Sequence, residues 1–152
     1  MALFPFFKKK EFFSASEKEE IVHAIKIAEK ETSGEIRIFI ESKNYLVNPL
    51  ERAKEVFLEL EMQQTEQRNA VLIYVAVHHH EVAVFADEGI YQKVDNVYWD
   101  KAVQQMISHF KHGKITHGLI HTVLMIGSTL KEKFPCKDDD RNELPDDIVF
   151  GK

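Results

Sequence analysis

Six acidic residues carry the chemistry this sequence can offer: Glu35, Glu66, Asp87, Glu88, Asp95 and Asp100. Asp87 and Glu88 directly follow the apolar run 81–86 and precede Gly89. A buried strand ending in two carboxylates and a glycine is well placed to hold a cation. Two carboxylates about 5 Å apart repel by roughly 3 kcal/mol at an effective dielectric near 20, so several acids gathered on one rim need a cation, a proton or intervening water. Calcium takes six to eight oxygens in flexible loops, whereas magnesium keeps its waters. An oxygen-rich set without histidine therefore points to calcium, with magnesium or manganese as alternatives. Asp87 is the leading candidate. Asp100 has a competing role as a charge that complements a helix N-terminus, and Glu66 and Asp95, taken singly, read as solvated loop residues. Nucleophile elbow, phosphate-cradling glycine loop and cysteine cluster are all missing from the sequence.

The elements that must position these acids follow from pattern. Ser14 with Glu17, or Ser16 with Glu19, can cap a first helix, whose apolar residues recur through Ala28. Thr32-Ser33-Gly34 is expected to stop it by supplying a residue that tolerates positive φ. Residues 35–41 alternate charged and apolar as a strand. Asn48 and Pro49 open a second helix, and residues 70–77, apolar on both faces, read as a central strand parallel to the first. The triplet His78-His79-His80 turns the chain into an antiparallel strand at 81–86. Glu35 and Asn69 then begin their strands at the edge where Asp87 ends the third. The connections 63–68 and 88–98 reach this edge and bring Thr65, Glu66, Asp95 and Asn96 to it, with Asp100 at the head of the next helix. A third helix ends near Gly113 and a fourth before Pro135. Residues 148–150 are expected to add a short edge strand or to dock on the body.

A chain of 152 residues is expected to form one domain around a single core. The net charge of −5 argues against a nucleic-acid binder, and Lys8-Lys9-Lys10 reads as a solvated tail. No segment approaches the roughly 20 apolar residues needed to cross a bilayer, and the short apolar start lacks the order of a secretory signal. The expectation is a cytoplasmic protein without nucleic-acid or membrane partners. Cys136 is the only cysteine and reads as a plain surface or packing residue. The turn histidines 78–80 fall at the end of the sheet away from the acids. His117 and His121 lie four apart, without the glutamate of a metalloprotease motif, and with His109 and His112 they surround the break at Gly113.

Several stretches together resemble the TPM domain family: Thr32-Ser33-Gly34-Glu35-Ile36-Arg37, residues 68–76, Phe85-Ala86-Asp87-Glu88-Gly89-Ile90, Trp99-Asp100, Phe110 with Gly113, Gly118-Leu119, Leu130 and Phe134-Pro135. The resemblance spans residues 14–135, which leaves an N-terminal segment, 1–13, and a charged C-terminal tail, 136–152. It implies an αβα sandwich, a central mixed sheet of about four strands with helices on both faces. It also implies divalent-cation binding at the loop-bearing rim in some relatives, and phosphatase activity in one. Relatives commonly carry a secretory signal and a membrane tail; neither is expected here, so export and membrane roles are not expected to carry over, and Ala70 stands where a glycine is usual.

Two functions follow as expectations. In the first, a divalent cation, calcium foremost, ties the connections 63–68 and 88–98 together and tunes stability or a surface for an unidentified protein partner. In the second, the ion serves a phosphatase acting on phosphate monoesters, with Arg37 or Arg68 as a clamp. Arg68 also has a structural reading, as an ion-pair partner for Glu35 or Asp87.

Overall fold

Strand β2, Ala70–Ala76, is buried along its whole length, and its neighbours explain why. A computed structural model describes residues 13–45, 48–136 and 148–151. The lysine run 8–10 and most of the charged tail, 137–147, lie outside the described residues. Strand β1, Glu35–Glu41, pairs parallel with β2, with Glu35 opposite Ala70, and β3, Glu81–Ala86, pairs antiparallel on the other side. Strand β4, Ile148–Phe150, adds to the free side of β1 in parallel, so the sheet order is β3-β2-β1-β4. The mixed order of β1, β2 and β3 is the one the apolar runs implied, the four-stranded sheet is the one the family resemblance implied, and of the two readings of residues 148–150 the edge strand is realised.

Alternation along the strands feeds two cores, one on each face of the sheet, where chain length suggested a single one. Ile36, Ile38, Ile40, Val71, Ile73, Val75, Val82 and Val84 face one side. There they meet α1, Ala15–Glu29, α4, Asn96–Lys111, and α5, Ile115–Lys133. Phe39, Leu72, Tyr74 and Ala83 face the other side, which α2, Pro49–Glu59, covers with Ala53, Val56 and Phe57. Helices therefore lie on both faces. Among the described residues, no helix is long and apolar enough to cross a membrane.

Of the two capping arrangements open to α1, Ser14 with Glu17 forms: the Ser14 hydroxyl accepts from the Glu17 N–H, and the Glu17 carboxylate accepts from the Ser14 N–H. Asn48 caps α2 by accepting from Leu50 N–H, with Pro49 at the first helical position. The stop after α1 differs from expectation, because Gly34 does not have positive φ. Space is what requires glycine there. An added Cβ would lie 2.9 Å from Leu130 Cδ1 and 3.3 Å from the Asn69 carbonyl oxygen. Thr32 fixes the same junction by donating to the Leu130 and Phe134 carbonyls.

Candidate functional site

Strand direction gathers the predicted rim. Glu35 N–H donates to the Asn69 carbonyl and Asp87 N–H donates to the Ala70 carbonyl, so Glu35 and Asp87 flank the start of β2 on either side. Their backbones stand roughly 10 Å apart, two strand spacings. Both are buried, Glu35 2 % and Asp87 4 % exposed.

Asp87 does more than end a strand. It is the N-cap of α3, Glu88–Tyr91, a single turn that the sequence pattern did not reveal, and its Oδ1 accepts from Glu88 N–H at 2.8 Å. Both carboxylate oxygens also accept from Arg68, Nε at 2.7 Å and Nη2 at 2.9 Å. The Arg68 guanidinium lies 3.6 Å from the exposed Glu88 carboxylate as well. The structural role of Arg68, as partner of Asp87, is thus realised. Arg68 reaches this position from a left-handed backbone, φ +52°, which costs a non-glycine residue about 1 kcal/mol. Gly89 lets the two loops touch: its N–H donates to the Arg68 carbonyl, and an added Cβ would lie only 2.2 Å from the Gln67 carbonyl oxygen.

The floor of the rim is polar and close-knit. Ser33 Oγ accepts from Asn69 Nδ2 and Gln67 Nε2, and buried Thr65 accepts from Asn69 N–H. Asn69 Oδ1 is buried and has no hydrogen-bond partner among the described residues. An amide oxygen in this condition forfeits about 1–3 kcal/mol unless something else satisfies it. A hard cation is one way to do so, and an amide oxygen on a residue whose carbonyl accepts from Glu35 N–H, with Asp87 bonded to the next residue of β2, offers the oxygen donor types that calcium takes. Arg68 works in the opposite sense, since it already holds both oxygens of Asp87.

The other sequence candidates are dispersed. Glu88 is exposed beside Arg68, and Glu66 is exposed in the connection before β2. Asp95 caps α4 by accepting from Val97 N–H. Asp100 lines a groove with Asn48, Leu50 and Val82–Val84, alongside the body of β3 rather than at its Asp87 end. Arg37 lies on the α2-facing side of β1, in register with Leu72. Among the described residues, no three His, Cys, Asp or Glu side chains stand together in a ligating group.

Sequence reasoning missed the polar cluster at the other end of the sheet. Glu41, 6 % exposed, accepts from Arg52 Nε and Nη2, each at 2.8 Å, and from the Tyr74 hydroxyl. Burial alone would raise the Glu41 pKa, but the hydrogen bonds from Arg52 and Tyr74 outweigh it and hold the carboxyl below its ordinary value. Burial, reinforced by Glu41, pushes the Tyr74 phenol up. The available signal was parity: Glu41 shares the inward face of β1 with Phe39. The turn histidines are at this end, and His79 Nδ1 accepts from Asn44 N–H.

Against known families, residues 7–129 match the model of the TPM domain. This chain belongs to the TPM domain family. Its structure is similar to that of the BA42 protein from the psychrophilic bacterium Bizionia argentinensis. The two share 39 % identity over 93 % of this chain and 97 % of that one, with a TM-score of 0.86. Two further likenesses show the fold alone. The N-terminal domain of cg2496 from Corynebacterium glutamicum gives 12 % identity and a TM-score of 0.63, over 80 % of this chain and 76 % of that one. The N-terminal domain of a P. gingivalis protein gives 15 % and 0.64, over 80 % and 78 %. Comparison with curated proteins finds no match. Membership in the TPM domain family accounts for the sheet and its helices and leaves the activity to be argued from the rim.

Proposed function

We propose that this TPM domain binds a divalent cation, calcium foremost, at the rim where Glu35, Asn69 and Asp87 converge. The ion ties the segment before β2 to the segment after β3, and so tunes stability or a surface for a protein partner. The observation that carries this reading is the buried Oδ1 of Asn69, which has no hydrogen-bond partner among the described residues, at the start of β2 where buried Glu35 and Asp87 flank the strand. A carboxylate has about four lone-pair sites, of which Arg68 and Glu88 N–H engage three at Asp87. Arg68 is 40 % exposed and can swing aside to admit the ion.

Calcium at one hundred times its dissociation constant should stabilise the domain by about 2.7 kcal/mol, which raises the melting temperature by roughly 5–10 °C. Asp87→Asn should abolish that rise. A melting temperature indifferent to saturating calcium would overturn the proposal.

The second reading is a metal-dependent phosphatase acting on phosphate monoesters, suggested by the word phosphatase in the name of the matched family. Arg68 would be its phosphate clamp, yet the Arg68 fork is engaged by Asp87, which favours the first reading. Hydrolysis of an aryl phosphate that vanishes in Asp87→Ala would reverse that preference.

A further inference from the structure

Three histidines that the rim does not use lie together where α4 and α5 fold back on one another. Gly118 makes this possible: a Cβ there would lie 2.8 Å from His109 Cβ, so only a bare backbone lets His109 rest on α5. His117 and His121, one turn apart on α5, flank the contact. Their ring centroids lie 5.7 and 5.5 Å from that of His109. His109 Nδ1 is 2.9 Å from the Gln105 carbonyl oxygen. A carbonyl can only accept, so Nδ1 carries the proton and Nε2 presents its lone pair. Histidines that bind metal are commonly oriented by just such a bond from the other ring nitrogen.

We propose that His109, His117 and His121 form a transition-metal site that takes zinc, with a fourth position open to water. Imidazoles sharing a tetrahedral zinc at about 2.1 Å have centroids about 5 Å apart. His117 and His121 are therefore each within about 1 Å of the required spacing from His109, although as they stand the three do not yet ligate. His117 and His121 are exposed, so each can turn between staggered rotamers to close on the ion. Imidazole donors select zinc, copper or nickel, whereas calcium takes oxygen. The site is also remote from the rim. Leu130 abuts Gly34 there, and His121 and His117 lie about 14 and 20 Å back along α5. A bound ion would staple α4 to α5 across the short turn at Gly113, whose φ is +72°.

Zinc titration of the full chain by calorimetry, with cobalt absorption as a check on geometry, tests the proposal. One equivalent should bind. His117→Gln and His121→Gln should each weaken it by more than the roughly tenfold that a supporting hydrogen bond contributes to metal affinity. A variant carrying His78→Asn, His79→Asn and His80→Asn should bind as the parent does, and excess calcium should not displace the zinc. Affinity unchanged in both glutamine variants, loss of binding in the turn variant, or displacement by calcium would each overturn the assignment. Circular dichroism verifies that these surface substitutions leave the fold intact. Because the readout is zinc rather than calcium, failure here would leave the rim proposal standing, and failure at the rim would leave this one standing.

Discussion

At one end of the sheet Arg52 grips Glu41; at the other Arg68 grips Asp87. Both pairs are two-pronged, with donor distances of 2.7 to 2.9 Å, and both carboxylates are buried. The difference lies in what surrounds them. Arg52 is 19 % exposed, spans from a long helix to the end of β1, and shares its carboxylate with Tyr74. Arg68 is 40 % exposed and approaches from a left-handed turn, and the amide oxygen of its neighbour Asn69 has no partner among the described residues. One cluster is closed and satisfied within itself. The other is held open by strained backbone, with bonding capacity left over. The same residue types thus serve a structural purpose at one end and a candidate binding purpose at the other.

The largest test of this contrast is Glu41→Gln, which strips the charge that compensates Arg52. A loss of about 3 kcal/mol is expected in urea denaturation. It should be pH-dependent. The folded Glu41 carboxyl titrates below its unfolded value near 4.3, so its contribution is full above that pH and is lost as pH falls through the lower, folded value. Below that window parent and variant should converge in stability. A difference that persists unchanged into acid would mean that the cluster acts through packing instead.

Asp87→Asn should cost less, about 1.5 kcal/mol, because Arg68 is half in solvent and asparagine can still cap α3. An equal or larger loss than Glu41→Gln would erase the distinction between the two ends. Smallest is the backbone effect at Arg68: Arg68→Gly should be more stable than Arg68→Ala by about 1 kcal/mol, since only glycine adopts the left-handed turn without penalty. Equal stabilities would show that the turn is not strained.

Much of this architecture could be read from the chain itself, for identifiable reasons. The all-apolar run beginning at Ala70 required burial on both faces, and the turn at His78–His80 was too short for anything but a reversal, so the strand directions and the shared rim followed. The caps of α1 and α2 were written in local side-chain chemistry. What escaped depends on distance in sequence. The bond between Arg68 and Asp87 joins residues nineteen apart, and the grip of Arg52 on Glu41 requires knowing which way α2 lies across the sheet. Asp100 was misjudged as a rim residue in spatial terms, since the extra turn α3 carries the head of α4 away along β3. Gly34 is needed for contact with Leu130, a neighbour no local rule could supply.

The fit at Gly89 has a mechanical consequence. With its amide bonded to the Arg68 carbonyl and no room for even a methyl group against Gln67, the short helix after β3 and the turn before β2 must shift as one body. Asn69, in turn, carries the first bond to β1 through Glu35 N–H. A push delivered at Asp87 therefore arrives at the first residue of the neighbouring strand, so slowed amide hydrogen exchange at Glu35 would register an event two strands away.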